Sequence, residues 1–222
     1  MKLGWYFLPD TIDFTENAVN VLIIENKPLL RNVILDFRRQ INGDAGELVL
    51  SHDFEKVDMS KSAVLITNPF NIDFESKRMA GKITQTAIEA GNTFAEDKQK
   101  ILCKINELAA RISISMPFDS SFSEMEDFGG IIKLLSFHFE AEESDVAGQL
   151  IEYIRMQREF FGKELFIVYN LKACLSEEEL TAFYKTAFYE KLNILIIEDC
   201  QRGTPMDCEN TVIIDNDLCV LM

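Results

Sequence analysis

"VLIIENKPLLRNVI", residues 21–34, is a strand that runs directly into a helix. Its first half is an unbroken apolar run closing on Glu25, the composition of a strand buried on both faces. Pro28 stands at the start of the second half, where a helix tolerates a residue without an N–H. Leu29, Leu30, Val33, Ile34 and Phe37 then recur at helical spacing, and Arg38 and Arg39 fall at the negative end of the helix dipole. A strand–helix junction binds phosphate when a glycine-rich loop turns its N–H groups on the anion, with a lysine and a hydroxyl behind it. Here the turn reads Glu25, Asn26, Lys27, Pro28. It has the outline of a nucleotide site, and a carboxylate, side-chain bulk and a proline that oppose phosphate.

Outward from this junction, strand and helix signals alternate. The turn "NGDAG" (42–46) leads to a second short strand, "ELVLS", and a third, "AVLIT" (63–67), ends at Asn68-Pro69. Near the other end come strand "LFIVYN" (165–170), a helix opened by the capping box "SEEE" (176–179), strand "NILIIED" (193–199), and one or two last strands in "TVIID" and "CVLM". The capped helix carries its apolar stripe on Leu180, Phe183, Ala187 and Phe188. A buried strand, a helix and another buried strand in that order imply a parallel crossover. The expected fold is therefore α/β, with a parallel sheet built from residues 1–70 and 160–222.

Residues 71–159 have a different character. Ile83, Ala87, Ala90, Phe94, Ile101, Ile105, Leu108 and Ile112 are spaced as a helical seam. Gly91 and Asn92 weaken its middle, so it is one helix of about 50 Å at 1.5 Å per residue, or two. A seam of this length packs on its own domain or projects as an arm that pairs with another helix. A further helix spans 145–161, with Ser144 as its expected cap and Gly162 beyond its end.

The net charge of -15 argues against a nucleic-acid partner only if it is evenly spread. It is not. Residues 77–111 hold seven basic side chains (Lys77, Arg78, Lys82, Lys98, Lys100, Lys104, Arg111) against four acidic ones, a surplus of three. The rest of the chain carries -18. Residues 112–145 hold eight acidic side chains and one basic. Asp119, Glu124, Glu126 and Asp127, followed by Glu140, Glu142 and Glu143, are hard oxygen ligands of the kind Ca²⁺ takes six to eight at a time; a solvated acidic face is the alternative.

Other chemistry is poorly served. "AGKIT" (80–84) has a Gly-Lys pair inside the helical seam, without a leading glycine or a preceding strand. Glu198-Asp199 after "ILII" has the look of a Walker B strand, but lacks a phosphate loop to work with, and a structural role is the expectation. No nucleophile elbow, Cys–His pair or HExxH motif occurs. Two histidines (His52, His138) and five cysteines without CxxC spacing imply no zinc site; the thiols are expected reduced and mostly buried. No apolar run reaches the roughly 18 residues of a membrane span, and Asp10 and Asp13 interrupt any leader-like segment, so a cytoplasmic location is expected.

"VLIIEN…LL…I", the lysine-bearing helical seam, "KELFIVYNLKACLSEEEL" (163–180) and "LNILIIEDCQRG" (192–203), in this order, resemble the DNA-binding spacer-acquisition protein of type II-A CRISPR–Cas systems. The resemblance covers almost the whole chain. It implies an α/β head related to P-loop proteins without a working phosphate site, and an inserted α-helical leg. It implies a homotetrameric ring that binds calcium and threads double-stranded DNA, preferably from free ends, without enzymatic activity. Its implied partners are the CRISPR integrase and the guide-RNA nuclease, with no membrane and no nucleotide. Carried over by region, calcium falls on Asp119, Glu124, Glu126, Asp127, Glu140 and Glu142, around the unusual "EDFGGIIK" (126–133). DNA falls on Lys98, Lys100 and Lys104, with Lys77, Arg78 and Lys82; a solvated outer position remains the alternative for each. The rival readings are a divergent P-loop ATPase or phosphotransferase and an acidic structural adaptor for the integration complex.

Overall fold

A computed structural model describes residues 1–140 and 145–221. The chain forms two compact units, one of Met1–Ile72 with Ala141–Met222 and one of Asp73–Glu140. The first is mixed α/β. Its main sheet has six strands in the order β10-β9-β3-β8-β7-β6: β3 (Val19–Ile24), β6 (Ala63–Ile66), β7 (Leu165–Tyr169), β8 (Asn193–Glu198), β9 (Glu209–Ile214) and β10 (Val220–Leu221). All neighbours are parallel except β10, which runs antiparallel to β9 at one edge.

The central strands are buried on both faces, which is why they read as continuous apolar runs. Alternate residues sort to opposite sides. Val21, Ile23, Phe166, Val168, Ile194 and Ile196 meet α6 (Val146–Phe161) and α7 (Glu177–Tyr189) through Leu150, Ile154, Phe183 and Tyr184. Leu22, Ile24, Leu165, Ile167, Leu195 and Ile197 meet Leu30, Val33 and Phe37 of α1 (Lys27–Ile41). The expected end of the inserted segment at 159 therefore moves. Helix α6 packs Leu150, Ile151 and Ile154 into the core of the first unit, and the second unit ends at Glu140.

On the α1 side lies a feature absent from the expectation. A four-stranded antiparallel sheet, in the order β2-β1-β4-β5, is formed by β1 (Lys2–Gly4), β2 (Ile12–Asp13), β4 (Val49–His52) and β5 (Glu55–Val57), with the one-turn helix α2 (Met59–Ser62) leading into β6. The strand read in "ELVLS" belongs here and not to the parallel sheet. Leu3, Trp5, Leu48 and Leu50 bury one face of it against α1.

Polar groups fasten this layer. Asp36 on α1 is buried, and its carboxylate accepts from the Gln40 amide (2.9 Å), the Leu48 and Glu47 N–H groups and Arg39. Burial pushes its pKa up, and these donors outweigh burial, leaving it below the ordinary value. A depressed acid contributes stability above its unfolded pKa and loses it as pH falls through the folded one. The stability difference between the wild type and Asp36→Asn, followed by urea unfolding, is therefore expected in full at neutral pH and to vanish below the ordinary carboxylate range. Hairpin β4–β5 turns through Asp53 (φ +49°) and Phe54 (φ +67°), a two-residue loop with both residues left-handed. Phe54 is fully exposed, so it bears the strain without burial in return. Phe54→Gly is expected to raise stability by about 1 kcal/mol, read as an increased urea midpoint.

The second unit is helical: α3 (Lys77–Gly91), α4 (Ala95–Ser115) and α5 (Gly129–Leu135). The seam is thus two helices, broken at Asn92–Phe94 beside the expected weak point, and the Gly-Lys of "AGKIT" lies within α3. Asp145 caps α6 by accepting from Gly148 N at 2.8 Å; Ser144, the expected cap, lies outside the described residues. None of the five free thiols is fully buried: Cys103, Cys200 and Cys219 are exposed, because they sit on the outward face of α4 and in loops. No helix among the described residues is long and apolar enough to cross a membrane.

Candidate nucleic-acid interface and carboxylate sites

The six basic side chains expected to meet DNA all lie in the second unit, on two helices. Ser76 caps α3 by accepting from Met79 N, and Lys77, Arg78 and Lys82 follow it, all exposed. On α4, at about 100° per residue, Lys100, Lys104 and Arg111 fall within roughly 40° of one another and form one stripe. Lys98 lies about 120–160° away from Lys100 and Lys104. It is half-buried and donates to Asn92 Oδ1 at 3.0 Å across the break between the helices. The structure therefore groups Lys100 and Lys104 and separates Lys98 from them. The stripe is interleaved with Asp97 and Glu107, which pair with Lys100 (3.6 Å) and Lys104 (3.3 Å) in solvent. Exposed pairs of this kind hold their cations weakly, and a phosphate can replace the carboxylate.

Beside that stripe runs an apolar one. Ile101, Leu108 and Ile112 are 42%, 56% and 47% exposed. Packing within the chain uses an adjacent face instead. Leu102 is buried, Asn106 exchanges two hydrogen bonds with the backbone of Met125, and Ser113 bonds Ser120. These bonds hold the irregular segment 116–128 along α4. The heptad-spaced positions Ile101, Ile105, Leu108 and Ile112, the clearest part of the seam, are thus largely unfilled by this chain.

Among the described residues, the carboxylates expected to bind calcium do not form a cluster. Asp119, Glu124, Glu126, Asp127 and Glu140 are all exposed. Asp127 accepts from Gly129 N at 2.9 Å at the start of α5, and Glu140 lies 3.5 Å from His138. Glu142 and Glu143 lie outside the described residues. Among the described residues no group of three or more His, Cys, Asp or Glu side chains converges as a metal site. Among the described residues, then, no set of these carboxylates gathers the six to eight oxygens that Ca²⁺ takes.

At the glycine-free junction the chain satisfies its own backbone. Asn26 caps α1 by accepting from Leu29 N (3.0 Å) and donates to Asn216 O, while Glu25 N bonds Ile214 O. Pro28 offers no N–H. Two of the turn's donors, the N–H groups of Glu25 and Leu29, are thus engaged, and position 28 has none.

Residues flanking the strand ends of β7, β8 and β9 build a closed charge network. Glu198 is fully buried; it accepts from Lys172 N (2.8 Å) and Arg202 (2.8 Å). Glu209, its side chain without solvent exposure, accepts from Lys172 Nζ (2.9 Å), the Tyr184 hydroxyl (2.6 Å) and Met206 N (3.2 Å). Asp199 pairs with Arg202 at 2.7 Å. Burial pushes the Glu198 carboxyl up, against the opposing pull of Lys172 N–H and Arg202. The Tyr184 phenol is also pushed up, by burial and by its bond to Glu209. This matches the structural role expected of Glu198 and Asp199. Sequence pattern does not single out Glu209, Lys172, Arg202 or Tyr184. The one available signal is that Lys172 and Arg202 follow the ends of strands β7 and β8.

A family model described as CRISPR-associated protein (Cas_Csn2) matches residues 40–218. No curated protein matches the chain.

Proposed function

The chain belongs to the Cas_Csn2 family of CRISPR-associated proteins, a type II-A spacer-acquisition family, and on that premise we propose that it serves acquisition as a non-enzymatic ring around double-stranded DNA. One observation carries this reading: α4 bears a cationic stripe directly beside an apolar stripe that its own chain leaves open. Burying Ile101, Leu108 and Ile112 between copies removes apolar surface from water at roughly 25 cal/mol per Å². It also brings the neighbouring stripes of Lys100, Lys104 and Arg111 together, so that a chain of net -15 presents a positive lining. Four copies, as the resemblance implies, close a ring. Contacts to phosphate position the duplex without reading its sequence, and free ends let it enter. The acidic remainder of each chain repels DNA from the outside.

Calcium belongs to the same proposal as a ligand of carboxylates that come together on assembly, because those of the described chain do not converge on their own. The integrase and the guide-RNA nuclease are proposed partners in acquisition, and the cytoplasm its location. The P-loop likeness of the head is proposed on the parallel sheet and the β3–α1 junction, as a scaffold without phosphate chemistry. A nucleotide-driven enzyme is disfavoured by the capped turn at Asn26 and by Pro28.

Assembly is tested by light scattering after size exclusion. Ile101→Asp with Leu108→Asp is expected to leave a species of lower mass with unchanged helicity, since both side chains are already half exposed. An unaltered mass removes the open seam from the assembly. Unchanged mass and DNA affinity on chelating calcium, in the wild type, would remove calcium from the proposal.

A further inference from the structure

Asn20 is a polar side chain at a core position. It stands on β3 in phase with Leu22 and Ile24 and is only 4% exposed. Its Nδ2 donates to the Asp13 carbonyl at 3.1 Å, which fixes the amide and turns Oδ1 the other way. Among the described residues that Oδ1 accepts from no donor. A nearly buried acceptor without a donor costs stability unless water or a ligand answers it.

Asn210 stands opposite Asn20 in the parallel register of β3 and β9, so the two amides share one face of the sheet. Both line a cleft of about 290 Å³ between the start of the main sheet and the segment that forms β2. Leu8, Pro9, Ile12 and Val212 give it apolar walls. Its charged lining consists of two carboxylates, Asp10 and Asp13, with no cation. Asp13 is already answered by Lys2 at 2.8 Å and by the Thr11 hydroxyl. Asp10 is exposed, and among the described residues it is paired with nothing. An open carboxylate and an open amide oxygen select a ligand that is both a donor and positively charged. We infer that this cleft binds a guanidinium group. Its N–H groups meet Asn20 Oδ1 deep in the cleft and the Asp10 carboxylate at the rim, and Asn210 offers a further amide oxygen. A guanidinium holds several donors in one plane and is more weakly hydrated than an ammonium, so it suits apolar walls better than a lysine-like amine does. A free small guanidine and an arginine side chain displayed on a peptide share this chemistry. The whole lining belongs to the first unit, so the site does not depend on the proposed ring.

The full-length protein is titrated calorimetrically, at neutral pH and low salt, with acetyl-arginine-amide and with agmatine. Acetyl-lysine-amide and acetyl-citrulline-amide, the uncharged isostere of the arginine ligand, are the controls. Both guanidinium ligands are expected to saturate, and the tighter of the two identifies the source. The lysine and citrulline ligands are each expected to bind about tenfold or more weakly than acetyl-arginine-amide. Asn20→Leu is expected to weaken guanidinium binding by about tenfold, and Asp10→Asn by about threefold. Asp10 makes no bond among the described residues, so Asp10→Asn decides the matter if Asn20→Leu fails to fold. No saturation by either guanidinium ligand, equal affinity for the citrulline or lysine ligand, or unaltered affinity in the folded variants overturns the assignment.

Discussion

Reversing Lys100, Lys104 and Arg111 to Glu is expected to lower affinity for linear duplex DNA by more than about a hundredfold at roughly 0.1 M salt. Each substitution exchanges a cation for an anion on one face of α4, and every copy in an assembly carries the change. Because phosphate contacts act through released counterions, the remaining binding should also depend less steeply on salt. Lys98→Glu is the internal control. Its side chain points 120–160° away from the Lys100–Lys104 stripe, by the roughly 100° turn per residue, and is tied to Asn92, so it should change affinity only a few-fold. Gel shift and anisotropy on linear and closed-circular duplex separate the outcomes. Undiminished binding by the triple variant would remove α4 from the interface; equal binding to both DNA forms would remove the preference for ends.

Glu209→Ala is expected to destabilise the α/β unit by about 3–5 kcal/mol, the range for breaking a buried ion pair from one side. The substitution leaves Lys172, whose side chain is 9% exposed, without its counter-ion and the Tyr184 hydroxyl without its acceptor. At roughly 2–4 °C per kcal/mol for a unit of this size, the melting temperature should fall by about 10 °C. Glu209→Ala combined with Lys172→Met should recover part of the loss, because the buried cation is gone as well. If the single variant melts like the wild type, the network does not hold the loop after β8 to helix α7.

These two predictions differ in how far the sequence alone supports them. The α4 stripe is local: helical phase can be counted from Lys98 to Arg111, so the odd position of Lys98 follows from residue spacing by itself. The β3–α1 junction and the capping box at Ser176 are legible for the same reason, since each is settled within about six residues. Glu209 is not. Its partners Lys172 and Tyr184 lie 37 and 25 residues away and meet it only when β7, α7 and β9 are assembled. The small antiparallel sheet is equally hidden. Its strands are two to four residues long, too short to show a period, and Lys2 pairs with Ser51 across nearly a quarter of the chain. The carboxylates near Asp119 to Asp127 are visible as composition, but composition does not say which oxygens converge.

The closed junction at the start of α1 also bears on what the protein can become. Removing the Asn26 cap alone costs about 1 kcal/mol and opens nothing, because Pro28 still lacks an N–H and no glycine lets the turn wrap an anion. Replacing Pro28 alone adds one donor to a turn that still has no glycine and still carries the Glu25 carboxylate. A phosphate cradle here is several coordinated substitutions away, and each on its own is neutral or harmful. The turn is therefore several substitutions from a nucleotide site, and the strand and helix around it stay bound by the packing of Leu22, Ile24, Val33 and Phe37 and by the buried bonds of Asp36.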